Sequence, residues 1–360
     1  MIRLANPSLL LLILSLLFTL LDAKQPSASE TVHSRVWDIH TKQLPLPSCA
    51  SQEIQKTLAA IPQPDLARAK YFPNKTKEEW REWVDYLNDS GAGGAKRWAK
   101  KYHVHIKKSE LNGVTVYYLT PDSQMGQKTK HLFVFLHGGA YVFGGGMSGL
   151  PEGILIASRT QMPVIAVDYR MPPDYPFPTA VEDTVKVYKS LLKTHDAKSL
   201  AMGGSSAGGA LTLSVVHKLK ALKLPLPAAL FVGTPWSDLS KRGDSLFVNE
   251  GIDRKIISYD GFVAAAAKLY ADGKDLKEEG LSPVYGDFTG FPPTMLVTGT
   301  RDLFLSLTVR VHRKMKVAGV TADLNVFEGL SHVEYFIVPD SKESLETYRE
   351  LKNFLNRYLK

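Results

Sequence analysis

The sequence predicts an α/β fold: a mostly parallel central sheet flanked by helices, with a helical cap. Three observations carry that expectation. From about residue 131 onward, short apolar runs of strand length alternate with longer segments of helical period. One run, 199–202, turns through Gly204-Ser205-Ser206-Ala207-Gly208 directly into a helical stretch. The chain ends in a helix, 342–359, that places Leu345, Tyr348, Leu351, Phe354, Leu355 and Tyr358 on one stripe. Parallel strands are covered on both faces, so their sequences read as unbroken apolar runs.

The elements follow in order. Residues 8–21 are almost wholly apolar, with Arg3 before them and Asp22-Ala23-Lys24 after. That run suits the core of a signal peptide better than a membrane span, which needs roughly 20 apolar residues. Leu21-Asp22-Ala23 is a mediocre cleavage site, so an uncleaved N-terminal anchor is the alternative. Residues 1–23 are therefore set apart as signal peptide or anchor, and the chain is expected to be exported, periplasmic or secreted. Cys49 is the single cysteine, so no intrachain disulfide can form. Residues 24–49 are polar and irregular and read as a linker.

Residues 50–102 read as an N-terminal helical cap region. Helices are expected over 52–61 and 75–87, the second with Trp80, Trp83, Val84 and Leu87 on one face. Gly91-Ala92-Gly93-Gly94 should break that pattern, with a further helical turn over 95–102. Trp80, Trp83 and Trp98 are candidates to approach a substrate beneath the cap.

The main domain is expected over 103–360. Strands over 104–109 and 114–120 flank the turn Leu111-Asn112-Gly113, a hairpin signal that belongs at a sheet edge. Further strands are expected over 131–136, 163–167, 199–202, 227–232, 293–298 and 322–327. Helices are expected over 150–160, 179–192, 207–222 and 303–318. A long polar insertion, about 237–281, would add to the cap.

Composition narrows the function. The 360 residues are 44% hydrophobic and 22% charged, enough for a large core in one domain or two. The net charge is +8, but the basic pairs Lys96-Arg97, Lys100-Lys101 and Lys107-Lys108 are scattered. A dispersed basic surface argues against nucleic acid as a partner; it is compatible with weak attraction to an anionic membrane surface. The glycines of 137–146 lack the Gly-Lys-[Ser/Thr] ending of a phosphate loop and the spacing of a dinucleotide fingerprint.

A strand that turns through Gly-x-Ser-x-Gly into a helix is a nucleophile elbow, which presents Ser206 at a helix N-terminus. Ser205 fits less well, because its frame lacks the second glycine. A serine hydroxyl needs a base, and the base needs an orienting carboxylate. Downstream strands offer Asp302 after 293–298 and His332 after 322–327, on one edge of the sheet. His217 and His312 fall inside predicted helices. Asp323, Asp340 and Asp287 are less well placed, and Glu328 and Glu334 are runners-up for the acid. The strand before His137-Gly138-Gly139-Ala140 leads into a loop suited to an oxyanion hole, with the amides of Gly138, Gly139 and Ala207 as donors.

His137-Gly138-Gly139-Ala140-Tyr141-Val142-Phe143-Gly144, the stretch 168–178 from Asp168-Tyr169-Arg170 to Pro178, and Gly204-Ser205-Ser206-Ala207-Gly208-Gly209 stand in that order. On these motifs, over about 131–360, the chain resembles the hormone-sensitive-lipase-like branch of the α/β-hydrolases. The resemblance implies the α/β-hydrolase fold, carboxylesterase activity on short- to medium-chain acyl esters, an acyl-enzyme intermediate, no cofactor and no metal. It also implies that the cap combines the N-terminal helices with the insertion, and that Tyr169, Arg170 and Asp183 brace the loops behind the oxyanion hole. Ala140 replaces a usual third glycine, Ser205 a usual Asp, Glu or Thr, and Asp302-Leu303-Phe304 a usual Asp-Pro-Leu. A lactone, an amide or a deacetylation substrate would use the same triad. A non-catalytic binding protein is the remaining alternative, disfavoured by the presence of Ser206, Asp302 and His332 together. The sequence does not choose between a monomer and a dimer.

Overall fold

The computed structural model describes residues 43–127 and 130–360. The apolar segment 8–21 and most of the linker lie outside the described residues. Residues 46–360 form one unit.

An eight-stranded sheet runs in the order β1-β2-β4-β3-β5-β6-β7-β8. The strands are β1 Val104–Leu111, β2 Val114–Pro121, β3 Leu132–Leu136, β4 Val164–Val167, β5 Leu200–Ser205, β6 Ala229–Gly233, β7 Thr294–Gly299 and β8 Ala322–Phe327. β2 pairs antiparallel with both β1 and β4, and the other pairings are parallel. The hairpin β1–β2 therefore stands at one edge, as its Asn112-Gly113 turn predicts.

β3 to β7 are buried at every position, which is why their sequences show no alternation. The period-2 geometry instead sorts alternate residues to opposite faces. Phe133, Phe135, Phe231, Met295 and Val297 pack with α4 Pro151–Thr160 and α11 Lys342–Tyr358. Val134, Leu136, Met202, Leu230, Val232 and Leu296 pack with α5 Thr179–Leu191, α6 Ala207–Ala221 and α9 Leu305–Val317. β8 is only partly buried, as an edge strand is.

Three expectations are corrected. The Gly91-Ala92-Gly93-Gly94 stretch does not break the helix: α3 runs unbroken over Lys77–Lys101, after the shorter α1 Gln52–Ala59 and α2 Leu66–Ala69. A capping box between Thr76 and Glu79 starts it, and acids in its first turn and lysines in its last favour the helix dipole. The cost of glycine is offset by packing, because a Cβ on Gly91 would stand 2.8 Å from Ser148 Cβ. The insertion is not polar throughout. It forms α7 Ser245–Val248 and α8 Phe262–Ala271, and α8 buries Val263, Ala266, Ala267, Tyr270 and Ala271. Leu345 is exposed, so the buried stripe of α11 runs instead through Ser344, Tyr348, Leu351 and Leu355.

Candidate active site

β5 ends at Ser205 and α6 begins at Ala207, so Ser206 is the one residue of the turn. Its φ of 60° and ψ of −124° lie where non-glycine residues are strained, at a typical cost of about 1–3 kcal/mol. Neighbouring backbone holds it there: Ser206 N donates to Gly233 O at 2.9 Å, and Trp236 N donates to Ser206 O at 3.1 Å. Gly204 and Gly208 are required by close approach. A Cβ on either would collide with the carbonyl oxygen of Leu136, where β3 passes into the 137–146 loop. The pentapeptide thus brings the turn against the loop expected to hold the oxyanion.

Asp302 follows β7 and His332 follows β8, both on the edge of the sheet that carries Ser206. His332 Nδ1 lies 3.0 Å from Asp302 Oδ1, with both side chains buried. Asp302 also accepts from Thr298 Oγ1 at 2.7 Å and from Phe304 N at 2.8 Å. A carboxylate beside Nδ1 fixes the proton on that nitrogen and leaves Nε2 with a lone pair. His332 Nε2 is buried and has no hydrogen-bond partner among the described residues. His332 and Ser206 line the same cavity.

That cavity has a volume of about 620 Å³. Gly138, Gly139 and Ala140 form part of its wall, and Leu87, Phe143, Trp236, Ile256, Ile257, Phe262, Phe304 and Phe336 make it largely apolar. Leu87 comes from α3, and Ile256, Ile257 and Phe262 come from the insertion. Trp80, Trp83 and Trp98 do not line it. Trp80 and Trp83 form a ring cluster with Phe72, and Trp83 packs on Phe262 at 5.2 Å. They join α3 to the insertion. Trp98 packs on Tyr102.

The other candidates fall elsewhere. His217 sits in α6 against Phe288 and Phe291, and burial pushes its pKa down to about 4. Asp287 pairs with Lys220, Asp323 with Arg357, and Asp340 with Lys101 and Arg159. Glu328 accepts from Thr300 Oγ1, and Glu334 accepts from Ser331 N beside His332. Ser205 borders the same cavity but is buried, and its hydroxyl is engaged by Glu152 and Tyr335 rather than by a base.

Behind the 137–146 loop, Tyr169 Oη donates to His137 O at 2.6 Å, with the two rings stacked at 4.1 Å. Arg170 binds Asp183 through two 2.8 Å bonds, and Asp168 accepts from Gly146 N at 2.8 Å. From α3, Asn88 Oδ1 accepts from Gly144 N, Gly145 N and Ser148 Oγ at 2.8, 3.2 and 3.2 Å. Three further polar residues around the site, Glu152, Asn88 and Asp253, do not stand out in the sequence. Glu152 reads as an acid in a first helical turn, a common dipole partner. Asn88 carries a weak signal, lying on the same helix face as Val84, Leu87 and Gly91. Asp253 carries none.

A family model described as the alpha/beta hydrolase fold matches residues 133–336. An acetyl-hydrolase of Streptomyces hygroscopicus is 29% identical over 59% of this chain and 72% of its own length. An esterase of Acinetobacter venetianus is 28% identical over 62% of this chain and 75% of its own. The crystal structure of an esterase, E25, is 43% identical, with a TM-score of 0.87 over 90% of this chain and 99% of that one. An esterase of the bacterial hormone-sensitive lipase family matches with a TM-score of 0.68 at 28% identity, over 82% of this chain and 96% of that one. With the parallel sheet, the elbow and these matches together, the chain belongs to the α/β-hydrolase family, among the esterases of its hormone-sensitive-lipase-like branch.

Proposed function

We propose that this enzyme hydrolyses short- to medium-chain acyl esters through Ser206, His332 and Asp302. The observation that carries the reading is the unpartnered His332 Nε2 in the same apolar cavity as Ser206, with the opposite ring nitrogen held by a buried carboxylate. Ser206 Oγ attacks the ester carbonyl while His332 Nε2 takes its proton. The carbonyl oxygen becomes an oxyanion, stabilised by the amides of Gly138, Gly139 and Ala207. The C–O bond breaks, and His332 returns the proton to the departing alcohol. Water then attacks the acyl-Ser206 bond by the same sequence, releasing the acid and restoring the serine.

A cavity of this size and apolarity suits a small ligand with one polar centre. The segments from α3 and the insertion act as the cap, covering the cavity and setting acyl length. In the same reading residues 1–23 direct export, which N-terminal sequencing of the mature protein would test.

The catalytic reading is tested with p-nitrophenyl esters from acetate to palmitate and a Ser206→Ala variant. Turnover should peak at the shorter chains and vanish in the variant. A folded Ser206→Ala protein with near-wild-type turnover would overturn it. A wild-type protein inactive on every ester but active on lactones or amides would move the bond and keep the triad.

A further inference from the structure

The insertion does more than wall the cavity. Asp253, between α7 and α8, is fully buried and accepts four backbone hydrogen bonds from three separate segments. Its Oδ1 accepts from Lys255 N at 2.8 Å and Ile256 N at 3.0 Å, within the insertion itself. Its Oδ2 accepts from Leu303 N at 2.7 Å and His332 N at 3.2 Å. Leu303 follows Asp302, and His332 carries the imidazole. One carboxylate oxygen therefore ties the backbone of the acid loop to the backbone of the base loop, and the other ties both to the cavity wall at Ile256.

Neighbouring residues strengthen the same connection. Asn249 Nδ2 donates to Asp302 O at 2.8 Å and to Thr300 O at 3.2 Å. Arg254 N donates to Ser331 Oγ at 3.1 Å. The insertion thus holds the acid loop at Thr300, Asp302 and Leu303 and the base loop at Ser331 and His332.

We propose that Asp253 is a positioning residue for hydrolysis: it fixes the loops bearing Asp302 and His332 relative to each other, so that the 3.0 Å contact between their side chains is held for each turnover. The proposal rests on the catalytic reading of those two residues given above. The Oδ1 half alone is an ordinary turn in which an acidic side chain caps the amides that follow it. The Oδ2 half is not local, since its partners are 50 and 79 residues away.

The chemistry needs a carboxylate. Four N–H groups converge on two oxygens, and a carboxylate is the side chain that only accepts, on both. An asparagine would turn its NH2 toward one pair of donors. The site is kept at an electrostatic cost: burial and the charge of Asp302 push the Asp253 pKa up to about 6, partly offset by His332 and the amides. A turn cap alone could be supplied by serine or threonine without that cost.

Asp253→Asn and Asp253→Ser in the full chain provide the test. Serine can still cap the Lys255 and Ile256 amides but is too short to reach the loops, so it separates the two halves of the carboxylate. For each variant, kcat and KM are measured on p-nitrophenyl butyrate. The downfield proton resonance of the His332 Nδ1–H bond is recorded alongside, and a cooperative melt confirms the fold. The expected result is a fall in kcat of about tenfold to a hundredfold, the scale of a misplaced catalytic group. KM should change little, and the downfield resonance should shift or broaden. A variant that only loses stability would keep both kcat and the resonance in its folded fraction, and that result overturns the proposal. Should Asp253→Asn not fold, Asp253→Ser decides by the same readouts. Ser206→Ala in the same assay separates the two readings. If it is inactive while Asp253→Ser has wild-type kcat, only the role of Asp253 fails. If it is active, the catalytic reading fails and takes this one with it.

Discussion

Ser205 and Glu152, both buried at the wall of the cavity that holds Ser206, share a hydrogen bond across 53 positions of the chain. Tyr335, three residues after His332, hydrogen-bonds the same hydroxyl. The chain that presents Ser206 is thereby connected to the start of α4 and to α10 Glu334–Ile337, just after His332. Burial pushes the Glu152 pKa up to about 8, against the hydrogen bonds from Ser205, so the carboxyl is largely protonated near neutral pH.

That protonation makes stability depend on pH with a definite sign. The folded pKa, about 8, lies above the unfolded carboxyl value, so the folded state holds a proton that the unfolded state releases. The contribution is fully present below the unfolded pKa and is lost as pH rises through about 8. Glutamine keeps the shape and the donor without ionising. Glu152→Gln should therefore melt close to wild type near pH 4.5 and above it at pH 9. The gap should reach a few kcal/mol, since each unit of pKa difference is worth about 1.4 kcal/mol. Melting curves across that range check it. A gap that is the same at both ends would show that Glu152 does not titrate as described.

Asn88 should matter to rate more than to affinity. Its side-chain oxygen is the acceptor for two amides and a hydroxyl of residues 144–148, which continue the loop proposed to hold the oxyanion. Asn88→Ala leaves those donors without their partner, at about 1–3 kcal/mol for each buried group left unsatisfied. The loop should loosen and kcat should fall on the order of tenfold, while KM for a small ester stays near wild type. Steady-state kinetics on p-nitrophenyl acetate check this, and Asn88→Asp, which keeps an acceptor oxygen, should recover part of the loss.

Gly91 and Gly93 make a paired test of why α3 survives its glycines. Alanine in a helix interior ordinarily gains about 0.5–1 kcal/mol over glycine. At Gly93 the nearest atom to an added Cβ is the end of the Arg97 side chain at 3.4 Å, so Gly93→Ala should raise Tm. At Gly91 the added Cβ meets Ser148 Cβ at 2.8 Å, and overpacking of about 1–3 kcal/mol outweighs the gain. Gly91→Ala should lower Tm. Equal increases at both positions would mean that α3 does not press on the 146–149 turn.

The same pair shows how far the sequence could be read. Strand order signals, the Asn112-Gly113 turn and the unbroken apolar runs of β3 to β7 are local, and they specified the α/β layering. The residues placed at the site from sequence also sit in local patterns: Ser206 in its pentapeptide, Asp302 and His332 just past strand ends. The structure brings those three to one edge of the sheet. A glycine run, by contrast, means a break or a close contact depending on what lies opposite, and Ser148 is 57 residues from Gly91. Asn88, Glu152 and Asp253 were illegible for the same reason. Each acts on residues far away in the chain, and its own neighbours give at most the weak helix-face signal of Asn88.

In the proposed mechanism Ser206, His332 and Asp302 contribute unequally. Ser206→Ala and His332→Ala should each lower kcat/KM by several orders of magnitude, and the double variant should be little worse than either. In that mechanism nucleophile and base act as one unit, so their losses do not add. Asp302→Asn should be milder, and the geometry says why. An asparagine with its oxygen at the Oδ1 position still accepts from Phe304 N and from His332 Nδ1. Its NH2 then stands at the Oδ2 position, where Thr298 Oγ1 can turn from donor to acceptor. The imidazole keeps its tautomer, and only the charge that stabilises the imidazolium is lost. The expected loss is on the order of a hundredfold, against about ten thousandfold where an asparagine forces the wrong tautomer. Thr298→Val combined with Asp302→Asn removes the group that makes the reversal favourable. The double variant should fall well below the sum of the two single effects, and kcat/KM values of the four proteins decide it. A single Asp302→Asn variant as inactive as His332→Ala would show that the amide takes the opposite orientation.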